Sequence, residues 1–254
     1  MRKISNLRIS IIVASLNSEK NIETTIASLR KQSYDNLEII FVDGGSTDRT
    51  VDIINKFKPK NSIVISEPDR GIGDAWNKGL RLCTGDIIGI LNSDDAYAVN
   101  TLQGVSDFFL GLDGAFVGFG DVILINSEDE SSKFVAGRMR SKLGLLNGFG
   151  FLHPSVLFNR QALEMVGFFN YRIRVAVDTD WLLRAVSLGI AFKKIPSLAY
   201  MHTGGVSDVN RYAGMGEYAD ALVRNGYSDV QMLMFFMLRF LGKLRSLMRW
   251  RKAP

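Results

Sequence analysis

The chain has one cysteine, Cys83, and two histidines, His153 and His202, in 254 residues. A lone cysteine excludes an internal disulfide, which fits a reducing compartment. No apolar run reaches the roughly 18 residues of a membrane-spanning helix; the nearest, Met232 to Leu238, is too short. Basic residues precede Ile9 to Ala14, but that run is too short for a secretion signal and lacks a small-residue cleavage site. It reads as a first strand, and a cytoplasmic location is the expectation. The glycine fingerprint of dinucleotide folds is missing, which weakens a nicotinamide-dependent dehydrogenase. No repeat or low-complexity block interrupts residues 1 to 226, which are expected to form one domain.

The excess of positive over negative charge is confined to the end of the chain. Arg239, Lys243, Arg245, Arg249, Arg251 and Lys252 follow Leu238 with no acid among them, and they outnumber the formal net charge of +5 for the whole chain. The body therefore has no net positive charge to offer a polynucleotide, and no nucleic-acid motif is present.

What is there is an alternation of strand and helix. Arg8 to Ser15 reads as a strand and Glu19 to Lys31 as a helix, with apolar residues at Ile22, Ile26 and Leu29. Leu37 to Val42 is a strand, and "STDRTVDIINKF" opens a helix capped by Ser46 or Thr47. Ser62 to Ser66 is a strand, Gly73 to Cys83 a helix, and Asp86 to Leu91 a strand. This order predicts an α/β fold with a mostly parallel sheet covered on both faces. The second half is less regular: strands around a bend in Gly114 to Asn126, helices at Arg160 to Val166 and Asp178 to Leu188, and a strand at Ala191 to Tyr200.

In such sheets ligands gather at the carboxyl ends of the strands. Those ends carry Ser15 and Asn17, then "VDGGSTD", then "EPDRG", then "LNSDD". Single polar loops are ordinary, but four on one sheet edge point to a site.

Each motif has two readings. Asp43 in "FVDGGSTD" offers an acceptor for a base or ribose, or serves as a turn. Asp74, Asn77 and Lys78 share one helix face with Arg70 just before it, which suits a diphosphate or a surface ion-pair cluster. Asp94 and Asp95 end a core strand side by side, an arrangement that suits Mg²⁺ or Mn²⁺ or else a helix cap. Asp178 and Asp180 begin an amphipathic helix, where the helix dipole or a general-base role accounts for them. His153 reads as a hydrogen-bonded loop residue. His202 reads equally as a ligand or a loop residue.

Taken together and in order, "SIIVASLNSEKNIETTIASLRKQSYDNLEIIFVDGGSTDRT", "EPDRGIGDAWNKGLRLCTGDIIGILNSDDAY", "HPSVLFNR", "VDTDWLLR" and "HTGGVSD" resemble glycosyltransferase family 2, the inverting nucleotide-sugar enzymes of the GT-A fold. The "EPDRGIGDAWNKG" and "GGVS" pieces are most similar to the bacterial surface-polysaccharide branch, which builds O-antigen, capsule or exopolysaccharide. The resemblance implies that Ser15, Asn17, Glu19 and Asp43 line a nucleotide pocket. It sets Asp69, Arg70, Asp74, Asn77 and Lys78 along the ribose and diphosphate. Asn92 and Ser93 then stand with Asp94 at the family's D-x-D position, Asn92 in place of the first acid. Asp94, Asp95 and His202 would hold Mn²⁺ or Mg²⁺. The family's E-D-x-D-L appears as Val177-Asp178-Thr179-Asp180-Trp181, with Asp178 as catalytic base and Asp180 beside the donor. The implied partners are a UDP-, GDP- or dTDP-sugar and a lipid-linked saccharide acceptor. A non-catalytic, nucleotide-sugar-binding or scaffold subunit of an assembly complex is the alternative.

From Val230 the tail sets Leu233, Phe236, Met237, Phe240, Leu241, Leu244, Leu247 and Met248 on one side of a helix and Arg239, Lys243, Arg245 and Arg249 on the other. That pattern, in residues 227–254, predicts a helix lying on the inner face of a membrane, or docking on this domain or a second copy in a homo-oligomer.

Overall fold

The computed structural model describes residues 7–60, 62–205 and 209–250, with residues 242–250 as helix backbone only. The first half follows the alternation read above: β1 (Ile9–Ser15), α1 (Ile22–Arg30), β2 (Leu37–Asp43), α2 (Thr50–Phe57), β3 (Ile63–Ser66), α3 (Ile72–Leu82) and β4 (Ile87–Asn92). After β4 come β5 (Ala96–Tyr97), α4 (Thr101–Phe109), β6 (Phe116–Ile125), β7 (Ser132–Val135), β8 (Leu157–Asn159), α5 (Arg160–Val166), α6 (Val177–Ser187), β9 (Ala191–His202), α7 (Arg211–Arg224) and α8 (Asp229–Trp250).

One sheet runs in the order β3-β2-β1-β4-β8-β6-β9-β5, with β7 paired to β6. The pairs β1–β2, β1–β4 and β2–β3 are parallel, as expected. Beyond β4 the sheet is mixed, because β8 inserts antiparallel between β4 and β6 while β6 and β9 run parallel. Gly114 to Asn126 forms one long strand, and the expected bend is a register shift between Phe119 and Asp121.

Successive residues of β1 feed opposite faces. Ile12 and Ala14 join the core under α3, α6 and α7, whereas Ile11 and Val13 join the core under α1 and α4. Burial on both sides explains the near-continuous apolar run of a central parallel strand. Helix α3 lies so close that a side chain on Gly79 would collide with Ile12. Only glycine fits there, and that approach fixes where the residues at the start of α3 sit.

The tail helix begins at Asp229, one residue before its expected start. It docks on the domain through Phe235, fully buried and edge-on to Tyr218 of α7. Arg239, one turn on, lies over the same two rings. Burial pushes its guanidinium below its ordinary value. Leu233, Phe236, Met237, Phe240 and Leu241 face outward. The expected positions from Lys243 onward lie outside the described side chains.

Candidate active site

The strand ends of β1, β2, β3 and β4 assemble the site, and Asp43 is the hub of the first three. Its carboxylate accepts the amides of Gly45 (3.1 Å) and Ser46 (2.9 Å), the Ser66 hydroxyl (2.8 Å), the Ser46 hydroxyl, and more weakly the Ser15 hydroxyl (3.4 Å). It is fully buried. Its acceptor capacity goes into holding the β2–α2 turn and tying it to the ends of β1 and β3. The turn's bare backbone at Gly44 faces Asp69, whose carboxylate a side chain on Gly44 would hit. Asp69 also takes the Gly71 amide (2.7 Å). The half-buried Asp69 is therefore the carboxylate of this region that stands open to a ligand.

Asn17 and Glu19 tie the β1 loop to the β2 loop. The Asn17 side-chain oxygen accepts the Thr47 amide (2.9 Å), and Glu19 takes both the amide and the guanidinium of Arg49 (3.2 Å each). Ser46, one of the two expected caps of α2, donates to Asp43 and accepts the Asn17 amide instead. Helix α2 starts later, and Asp48 takes the Thr50 amide. Ser18 and Ser93 share a hydrogen bond of 2.7 Å, joining the first loop to the fourth.

The expected diphosphate cluster divides. Arg70 binds both oxygens of the buried Asp74 and stacks on Tyr171, 4.0 Å from ring centroid to guanidinium. Hydrogen bonding by Arg70 holds the Asp74 carboxyl below its ordinary range. Lys78 is paired with Glu67 (2.9 Å), and an open groove of about 690 Å³ runs past Glu67, Arg70, Asp74 and Lys78. Asn77 points elsewhere: both ends of its amide clamp the backbone of Phe169 at 2.9 Å. Arg174, not singled out in the sequence, reaches the Arg70 carbonyl (2.6 Å) from the segment just before α6.

At the end of β4 the two adjacent aspartates part company. The Asp94 main-chain oxygen meets Nδ1 of His202 at 2.9 Å, across 108 residues. Because a carbonyl only accepts, Nδ1 carries the proton, and a neutral ring keeps its lone pair on Nε2. Asp95 is buried, with its carbonyl held by Thr25 of α1 (2.8 Å). Burial, reinforced by the charge of Asp94, pushes its carboxyl well above the usual range. The Asn92 side-chain oxygen is buried without a partner among the described residues. Neither aspartate caps α4, whose cap position is the left-handed Asn100.

No cluster of three or more potential ligands closes round a metal among the described residues. Asp94 and His202 nevertheless fit a hard divalent ion of the Mg²⁺ or Mn²⁺ type, which takes one or two protein ligands and completes its shell with water and substrate phosphate.

Asp178 lies in the first turn of α6, its side chain 30% exposed. One oxygen accepts the Thr179 amide (2.7 Å); the other faces His153 Nδ1 at 3.7 Å. His153 is stacked flat on Trp76 of α3 (4.8 Å between centroids, 9° between planes). Burial holds its imidazole below the ordinary value, against the pull of Asp178. Asp180, two residues on, turns into the protein and is shared by Arg184 (3.1 Å) and Arg224 (3.0 Å). Glu217 of α7 collects the amides of Arg174, Val175 and Ala176, each within 2.9 Å, and so fixes the approach to α6.

The family described as "Glycosyl transferase family 2" matches residues 10–167. The chain belongs to that family and is a glycosyltransferase. A PGL/p-HBAD biosynthesis glycosyltransferase of Mycobacterium bovis is 31% identical over 206 residues, covering 78% of each chain. The Escherichia coli UDP-Glc:alpha-D-GlcNAc-diphosphoundecaprenol beta-1,3-glucosyltransferase WfgD is 28% identical over 192 residues, covering 73% of this chain and 76% of its own. Among solved structures, Staphylococcus aureus TarS with UDP-GlcNAc aligns at a TM-score of 0.65 with 20% identity, over 90% of this chain and 70% of that one. The Pyrobaculum calidifontis mannosyltransferase PcManGT with GDP-Man and Mn²⁺ aligns at 0.64 with 20% identity, over 89% and 67%. The fold is thus that of the GT-A glycosyltransferases.

Proposed function

We propose that this glycosyltransferase moves one sugar, with inversion, from a nucleoside-diphosphate donor to a hydroxyl of a lipid-linked saccharide during assembly of a bacterial surface glycan. The observation that carries the reading is His202 held by Nδ1 to the Asp94 carbonyl at the strand ends, which supports a divalent-ion seat there. The diphosphoundecaprenol acceptor in the name of WfgD supports the lipid-linked class. The UDP-GlcNAc and GDP-Man complexes of the structural neighbours support the donor class.

The β1 to β3 loops would hold the nucleotide, with Asp69 and the backbone at Gly44 against the base and Asn17 and Glu19 bracing the loops behind. Arg70 and Arg174 would lie toward the diphosphate. A divalent ion held by Asp94 and His202 would supply positive charge to the departing diphosphate. As the acceptor oxygen attacks the anomeric carbon, the bond from that carbon to the diphosphate oxygen breaks. The hydroxyl proton passes to the exposed side of the Asp178 carboxylate, at the oxygen that does not hold the Thr179 amide. One displacement suffices, and the nucleoside diphosphate leaves with the electron pair.

No helix among the described residues is long and apolar enough to cross a membrane. The outward row Leu233, Phe236, Met237, Phe240 and Leu241 on α8, leading into the basic end of the chain, suits a helix lying in the inner leaflet surface of the cell membrane, where a lipid-linked acceptor is found.

The test is nucleotide release from UDP-, GDP- and dTDP-sugars with Mn²⁺ or Mg²⁺, with and without bacterial lipid extract, for the wild type and Asp94→Ala. Metal-dependent release from one donor, raised by lipid and lost in the variant, is expected. Release that ignores both metal and the substitution would overturn the assignment of the ion seat.

A further inference from the structure

His153 is one of two histidines, and nothing in the proposed reaction uses it. It sits in a short 3₁₀ turn (His153–Ser155) after a glycine-rich loop, with Pro154 fixing the next backbone angle. Its ring lies flat against Trp76, and Trp76 meets Phe169 edge-on (5.0 Å, 65°). Phe169 is in turn held by the Asn77 clamp. Three elements therefore determine where the imidazole points. Its Nε2 is buried with no hydrogen-bond partner among the described residues, and its Nδ1 faces Asp178.

A carboxylate can only accept, so the nitrogen that faces it carries the proton, and the lone pair is left on the buried Nε2. At 3.7 Å the pair is longer than a hydrogen bond. Contacts of this kind commonly tighten when substrate arrives. The other Asp178 oxygen is already held by the Thr179 amide. An N–H on the second oxygen would stop the carboxylate rotating and keep it turned toward its exposed side.

We infer that His153 is a positioning residue for Asp178: a neutral, Trp76-backed imidazole whose Nδ1–H orients the carboxylate that receives the acceptor's proton. The inference rests on the proposed reading of Asp178 as the base.

Two measurements test it. The first needs no substrate. With ¹⁵N-labelled histidine the protein gives two imidazole spin systems, and His153→Phe identifies which belongs to position 153. His153 should show the Nδ1–H tautomer, and Asp178→Asn should shift its Nδ1 resonance while leaving that of His202 in place. An Nε2–H tautomer, or indifference to Asp178→Asn, overturns the inference.

The second is kinetic, using the donor found in the panel above. His153→Phe keeps the ring stack and deletes the N–H; His153→Asn sets an amide N–H near the position of Nδ1. The phenylalanine variant should lose about ten- to a hundredfold in kcat, the range for a group that orients another. Its KM for donor and its melting temperature should stay near wild type, and the asparagine variant should recover most of the loss. A full-rate His153→Phe beside an inactive Asp178→Asn removes the positioning role alone. A full-rate Asp178→Asn removes the base itself.

Discussion

Nδ1 of His202 is hydrogen-bonded to the main-chain oxygen of Asp94, and the contact ties the last strand of the sheet to the loop that follows its fourth. On the proposed reading, His202→Ala should therefore weaken the ion seat twice, by removing a ligand and by loosening Asp94. The expected result is a rise in the Mn²⁺ concentration needed for half-maximal turnover, on the order of ten- to a hundredfold. A metal titration of donor turnover measures it.

Asp178 and Asp180 predict opposite behaviour although they are two residues apart. Asp178→Asn should leave the melting temperature close to wild type and lower kcat by about a hundredfold or more. Asp180→Asn strands Arg184 and Arg224 without their shared partner. It should cost roughly 2 kcal/mol, less than a fully buried pair because both guanidiniums reach solvent. Thermal melting and initial rates on the two variants separate the cases.

Glu38 gives a pH signature. Burial pushes its carboxyl up, but the hydroxyls of Ser10 and Thr84, the Thr84 amide and the Arg8 guanidinium together hold it below its ordinary value. A depressed folded value means stability that is present above the unfolded value, about 4.3, and is lost as pH falls through the folded one. Glu38→Gln should be less stable than wild type near neutral pH, and the gap should close in acid. Urea midpoints measured at pH 7 and at pH 3 to 4 check the sign.

The two faces of α8 also separate. Phe235→Ala empties a fully buried position against Tyr218 and should cost about 3 kcal/mol. Leu233→Glu together with Phe240→Glu changes only exposed positions that make no ring contact with Phe235, and should leave the melting temperature unchanged while abolishing sedimentation with anionic lipid vesicles.

The first half of the fold was legible because each strand is a short apolar run and each helix carries one apolar stripe. Two-residue β5 is too short to leave a pattern, and α7 mixes glycines and polar residues through its length, which blurs its stripe. Positions of site residues were legible for the same reason that strand ends were. Directions were not. Asp43, Asn77 and Asp180 stand where ligand-binding residues are expected, yet each side chain turns back to satisfy nearby backbone groups or the guanidiniums of Arg184 and Arg224. His153 was legible only as a loop residue, because its relation to Asp178 is made by packing on Trp76. Leu233, Phe236, Met237, Phe240 and Leu241 of the expected stripe of α8 are exposed, Leu244, Leu247 and Met248 lie outside the described side chains, and Phe235, the anchor, was not in the stripe.

The position of β9 in the sheet has a consequence for synthesis. Strands β1, β2 and β3 have all their partners by Asn92, and β4 has β1, with β8 joining its other edge later in the chain. β6 finds its parallel neighbour, and β5 its one strand partner among the described residues, when β9 is in place. As the chain leaves the ribosome, the nucleotide loops therefore take shape early, while Asp94 waits for another 108 residues before His202 arrives. His202 arrives with the last strand of the sheet in sequence order. A nascent chain stalled before β9 would carry Asp94 without the imidazole that the proposed ion seat requires.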